Sequence, residues 1–230
     1  LCVRGKAAVA AVVAKLTGKV AEATEPKYAH VKCRGGNGIA KLAFEYKGVH
    51  DCAAAKLVQQ GPKFCKFGCL GFGNCVRSCP FGAMTMGENG LPHVNKDICT
   101  GCGKCASVCP NHVIELLPVS AKVSVSCSSK DFGAPAMKNC KALCLGCGSC
   151  MRNCSHKDEE AIKIIDHLAV VNQDVCHHCD NATCLTKCPT GAIGEMIKGV
   201  YKKEETKEKE TEERVRKKEC LMFVCLDAAV

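Results

Sequence analysis

The chain has 230 residues, 23 of them Cys, with no Trp and 4% aromatic residues, which excludes an interior held together by aromatic packing. An odd number of cysteines bunched into tight groups excludes a disulfide scaffold, whose cysteines are even in number and spread through loops. The net charge of +9 is not a nucleic-acid signature, because the chain lacks aromatic stacking platforms and a helical basic stripe. In chain order, "KAAVAAVVAKLTG" predicts a helix closed by Gly18, "YAHVKC" a strand, "NGIAKLAFEY" a helix capped by Asn37, and "DCAAAKLVQQGP" a helix from Asp51 to the stop at Gly61 and Pro62. "LPHVNKDIC" and "LAVVNQDVC" each predict a short strand running into a cysteine loop, and "HVIELLP" and "AIGEMI" a strand after one. Residues 202–219, almost all Lys, Glu and Arg, read as a solvated tail. The longest uncharged apolar run, Ala7 to Ala14, falls far short of the ~18 residues a spanning helix needs.

The cysteine spacing carries the chemistry. "ICTGCGKCASVCP" and "LCLGCGSCMRNCS" both run CxxCxxC and add a fourth cysteine further on. Zinc knuckles supply two separate CxxC pairs instead, whereas this run is the 4Fe-4S signature, three thiolates gripping one cube and the fourth reaching across to its neighbour. Gly101, Gly103, Gly146 and Gly148 allow the continuous turn that aims backbone N–H groups at sulfur. Pro80, Pro110 and Pro189 each follow a fourth cysteine and turn the chain away.

Two modules emerge, one of Cys65, Cys69, Cys75 and Cys79 with Cys99, Cys102, Cys105 and Cys109, the other of Cys144, Cys147, Cys150 and Cys154 with Cys176, Cys179, Cys184 and Cys188. Crossed ligation then assigns Cys65, Cys69, Cys75 and Cys109 to one cube and Cys79, Cys99, Cys102 and Cys105 to a second. Cys144, Cys147, Cys150 and Cys188 would hold a third, and Cys154, Cys176, Cys179 and Cys184 a fourth. The fold expected is α+β: two tandem bacterial-type two-cluster ferredoxin modules (61–120 and 121–198), a small α/β leader (1–60) and a charged tail (199–230). An oxidised cube with its thiolates carries about −2, so four cubes offset most of the basic excess. With no open iron or acid-base pair in view, such a chain moves single electrons, and no catalytic site of its own is evident.

The halves are repeats. Laying "FCKFGCLGFGNCVRSCP" over "NCKALCLGCGSCMRNCS" aligns Cys65 with Cys140, and Phe72 falls where Cys147 stands. The expectation is that Cys65, one turn upstream, replaces the missing middle ligand and that Cys140 is redundant. Cys33, Cys52, Cys127 and Cys140 read as small buried hydrophobes beside the cubes, an extra cluster there being the weaker alternative. His177 and His178 read as loop surface, and Cys220 and Cys225 as incidental.

"GPKFCKFGCLGFGNCVRSCPFGAM", "CTGCGKCASVCPNHVIELLP", "VSCSSKD", "CHHCDNATCLTKCPTGAI" and "YKGVHDCAAA" resemble the B subunit of the Rnf complex, the ferredoxin:NAD oxidoreductase of anaerobic bacteria and archaea. The resemblance covers residues 1 to about 195. It implies an iron–sulfur subunit at the cytoplasmic face of the membrane, exchanging electrons with soluble ferredoxin and flavin-bearing partner subunits, coupled to Na+ or H+ transport. By it the sixteen cysteines are cluster ligands, and "LCVRGKAAVAAVVAKL" is the end of a preceding cluster domain with Cys2 as last ligand of a further cluster. Ser155 stands where the family has proline, and "HKDEE" lengthens that loop. A free-standing soluble polyferredoxin is the alternative.

Overall fold

The computed structural model describes residues 6–18, 25–176 and 182–195. Cys2, His177, His178, Cys179, the charged tail, Cys220 and Cys225 lie outside them.

Helix α1 (Lys6–Thr17) ends where Gly18 turns left-handed at φ +64°, the conformation glycine adopts at little cost after a helix. Strand β1 (Lys27–Val31) is buried along four of its five residues. Helix α2 (Cys52–Leu57) begins at Asp51, whose carboxylate accepts the Ala53 and Ala54 N–H groups.

The cysteine segments follow as one-turn helices between short strands: α3 (Asn74–Arg77), β2 (Met84–Met86), β3 (Pro92–Val94), α4 (Lys104–Ser107) and β4 (Ile114–Pro118). The second half repeats the pattern: β5 (Val123–Val125), α5 (Gly133–Asn139), α6 (Ser149–Arg152), β6 (Ile162–Ile165), β7 (Leu168–Val171), α7 (Gln173–Cys176), α8 (Thr183–Thr186) and β8 (Ile193–Glu195).

Four two-stranded antiparallel sheets form among the described residues, β1 with β4, β2 with β3, β5 with β8 and β6 with β7. The duplication is thus topological. In each half an opening strand pairs with the strand after the second cysteine loop, and a hairpin separates the two loops. Strand β1, from the segment ahead of the first cysteine loop, pairs with β4 beyond the second, Tyr28 opposite Leu117 and Val31 opposite Ile114.

The helix expected over residues 37–46 does not form. Its backbone donors go elsewhere: Asn37 N–H to the Asn89 carbonyl, Lys41 N–H to that of Asn139 and Ala43 N–H to that of Pro62, at 2.8, 2.8 and 2.7 Å. One helical turn starts, with the Ala40 N–H donating to the Gly36 carbonyl, but with three N–H groups taken by distant carbonyls the i to i−4 ladder does not continue. Strand β6 escapes sequence reading because its turn to β7 uses Asp166 and His167 at positive φ (48° and 61°) where Asn-Gly is the usual spelling.

Two apolar clusters hold the halves. The first gathers Ala29, Val31, Met84, Leu91, Val113 and Ile114, the second Val123, Leu143, Ile162, Leu168, Ala192 and Ile193, and buried cysteines belong to both. Interior side chains are small, and much of what each cluster encloses is sulfur.

Candidate metal centre

All nineteen cysteines among the described residues are free thiols. Each one-turn helix α3, α4 and α6 starts from a glycine in the left-handed region, Gly73, Gly103 and Gly148 at φ 71°, 78° and 68°, which curls the loop and turns its N–H groups inward. Space adds a second demand at Gly146, where a Cβ would stand 2.5 Å from the His167 carbonyl oxygen.

The loops and strands form pockets, each walled by four cysteines. One is lined by Cys79, Cys99, Cys102 and Cys105, and another contains Cys144, Cys147, Cys150 and Cys188 in its wall. These are two of the expected sets. Of the set Cys154, Cys176, Cys179 and Cys184, the second and fourth are buried and Cys154 is half-buried, while Cys179 lies outside the described residues.

In the first module a further pocket is lined by Cys52, Cys69, Cys75 and Cys109, and Cys65 is not in its wall. Cys52 arrives from the start of α2, which is pinned to α3: the Cys52 N–H donates to Asn74 Oδ1 (3.0 Å) and Asn74 Nδ2 to Asp51 Oδ2 (2.5 Å). Phe72, at the position of the missing cysteine, packs edge-on to Tyr46 and His50 with ring centroids 5.2 and 5.6 Å apart. Cys65 instead lines another pocket with Cys33, Cys127 and Cys140. Sequence reading missed these two arrangements because their members stand far apart in the chain. The remaining signal was numerical: the twenty cysteines from Cys33 to Cys188 divide into fours without remainder.

Burial pushes the Cys69 and Cys75 thiols up to about 12, with neighbouring sulfurs adding to the effect, Cys33 at Cys69 and both Cys52 and Cys109 at Cys75. Burial also raises Cys150 to about 11, with Cys144 and Cys188 beside it. At Cys188 burial acts upward too, but the N–H groups of Ile193, Thr190 and Ala192 and the Thr190 hydroxyl outweigh it and hold the thiol below its ordinary value. Crowded buried thiols stay protonated unless a cation takes them as thiolates, so loading a metal centre here releases protons.

The donor set fits a cluster better than a lone ion. Among the described residues no group of three or more His, Cys, Asp or Glu converges closely enough for one metal ion, as zinc bound through ~2.3 Å bonds to sulfur would require. The thiols are spread over cavity walls instead, and N–H groups point at them, Ala29 at Cys99 (3.4 Å) and Cys69 at Cys33 (3.3 Å).

A duplicated frame with thiol fours in glycine-turned loops defines a ferredoxin-type iron–sulfur protein built from two-cluster modules. Two family models, both described as 4Fe-4S dicluster domain, match residues 68–114 and 98–158, and the two modules carry four 4Fe-4S clusters. The chain is 55% identical over 207 residues to the B subunit of the proton-translocating ferredoxin:NAD(+) oxidoreductase complex of Clostridium ljungdahlii, covering 90% of this chain and 72% of that one. It is 38% identical to the B subunit of the Na(+)-translocating ferredoxin:NAD(+) oxidoreductase complex of Acetobacterium woodii, of which it covers 56%, and 38% identical to the B subunit of the ion-translocating oxidoreductase complex of Methanosarcina acetivorans, of which it covers 71%. The chain belongs to the family of Rnf complex B subunits.

Proposed function

We infer that the chain is the electron-relay subunit of an ion-translocating ferredoxin:NAD oxidoreductase, passing single electrons between soluble ferredoxin and flavin-bearing partner subunits at the cytoplasmic face of the membrane. The observation that carries the relay is the set of separate cavities, each walled by four thiols and free of acid-base pairs. When bound, a 4Fe-4S cube supplies a one-electron couple; the chain's residues hold it, exclude water and set its potential through N–H groups aimed at sulfur.

The ligand sets follow the cavities. Cys52, Cys69, Cys75 and Cys109 hold one cube, Cys79, Cys99, Cys102 and Cys105 the next, and Cys144, Cys147, Cys150 and Cys188 the third. Cys154, Cys176, Cys179 and Cys184 hold the fourth by the symmetry of the second module. Cys102 and Cys147 are exposed, so the cubes they serve lie nearest the surface and receive or deliver electrons. Among the described residues no helix is long and apolar enough to cross a membrane, which is consistent with attachment through partner subunits.

The test is anaerobic mixing of the iron-loaded chain with reduced ferredoxin. Bleaching of its visible absorbance at a stoichiometric electron count is expected. A colourless zinc protein, or an iron-loaded one that ferredoxin does not reduce, sinks this reading.

A further inference from the structure

We propose that Cys33, Cys65, Cys127 and Cys140 hold a fifth 4Fe-4S cluster, placed between the two modules as the electron bridge joining them. The inference rests on the iron–sulfur reading above and adds a site outside both two-cluster sets.

These thiols line one pocket together, as the other cysteine fours do theirs. Three of its thiols are buried and Cys65 is half-buried. They face one another across it: Cys33 bears electrostatically on Cys65 and on Cys140, and Cys65 on Cys127. N–H groups already point at the sulfurs, from Cys69 to Cys33 (3.3 Å) and from Ser129 to Cys127 (3.4 Å). Space for the cube is kept by glycine. A Cβ on Gly35 would stand 3.4 Å from the Cys140 sulfur and 3.7 Å from that of Cys33, and one on Gly68 3.5 and 3.6 Å from those of Cys65 and Cys33.

Charge is provided for as well. Lys63, only 7% exposed, lines the cavity and donates to the Gly35 and Cys69 carbonyls at 2.8 Å each. A buried ammonium held by neutral carbonyls is stabilised further by an anion in the cavity beside it, and an oxidised cube with four thiolates carries about −2.

The repeat explains the ligand pattern. Cys33 lies two residues beyond β1 and Cys127 two beyond β5, while Cys65 and Cys140 occupy aligned positions ahead of the first cysteine loops. Each half therefore contributes the same two ligands. Backbone pairing knits the halves at this place, with Ala40 bridged to Cys140, Lys41 N–H donating to the Asn139 carbonyl and Lys141 N–H to that of Ile39. The ends of the bridge reach both modules. The Cys33 sulfur accepts the N–H of Cys69, which lines the first module's pocket, and Cys127 lies beside Cys144, which lines the second module's. One electron leaving a first-module cube reduces the bridging cube, and the same electron passing on to a second-module cube reoxidises it; no bond or proton is exchanged.

Native mass spectrometry of the anaerobically iron-loaded chain should show five cluster masses, and Cys33→Ser/Cys127→Ser should lose one, about four iron and four sulfide, while the rest still bleach with dithionite. A loaded wild-type chain holding four clusters, zinc alone at this tetrad, or a variant that keeps its iron would overturn the proposal. A chain that takes up no iron at all would sink the relay reading too, so the two failures are distinguishable. Because the wild-type count needs no substitution, a variant that does not fold leaves the test intact.

Discussion

Phe72 and Cys52 bear on the ligand set proposed for one first-module cube. The first loop has Phe72 where the second has Cys147, and its cavity is completed by Cys52 from the start of a helix more than a dozen residues upstream. If Cys52 and Cys65 serve different cubes, their losses add: Cys52→Ser and Cys65→Ser each remove about four iron atoms, and the double variant about eight. Iron analysis of the three proteins checks this, and a double variant that loses only four would return both thiols to one cube. Gly146 offers a second test. With φ at +60° and the His167 carbonyl 2.5 Å from where a Cβ would sit, Gly146→Ala must both strain the backbone and push β7's turn away, costing about 2 kcal/mol or more. Thermal unfolding of the loaded protein reads that loss, whereas Gly82→Ala, at φ +63° with open space around it, should cost only about 1 kcal/mol.

Strands β1 and β5 do two jobs, closing their own sheets and joining the modules through side chains. His30 on β1 is buried against Ser124 on β5, Nε2 to Oγ at 3.0 Å. Burial, with Lys32 and Lys96 adding to it, lowers the His30 imidazole to about 4. A histidine whose folded value lies below its unfolded one is kept neutral by the fold, so its contribution is complete above about 6.5 and is lost as pH falls toward 4. Between pH 6.5 and 5.5 the protein should lose on the order of 1 kcal/mol that His30→Gln does not lose, read as the slope of stability against pH. Equal slopes would show that another group titrates there. Tertiary contacts likewise explain why residues 37–46 read as a helix yet form none: periodicity reports local preference, and the carbonyls of Asn89, Asn139 and Pro62 outcompete it.

At the scale of the molecule, stability depends on metal. Sheets of two strands and one-turn helices are marginal by themselves in water, and cysteines that line pockets make up much of the interior they enclose. Stripping the iron with an oxidant and a chelator should therefore collapse the fold, with loss of circular dichroism and rapid proteolysis within residues 25–176; a stripped chain that stays protected would show that the apolar clusters suffice. Reloading should release protons, since thiols such as Cys75 and Cys150, raised to about 12 and 11 by burial and neighbouring sulfur, must ionise. Uptake measured in weak buffer should acidify it, and iron affinity should fall as pH falls. The net charge of +9 has the same origin: cubes at about −2 each nearly cancel it.

The sequence by itself determined that the chain binds cubes, that it is duplicated, and that loops such as Cys99 to Cys109 turn on glycine, because cluster ligation by consecutive residues writes its geometry into spacing. Family resemblance, carried by the same motifs, was legible there too. Only the tertiary structure decided where Cys33, Cys52, Cys65, Cys127 and Cys140 meet. Those thiols are brought together by α2 docking on α3 and by backbone pairing between the halves, and contacts made across long stretches of chain leave no fixed interval in the sequence to read.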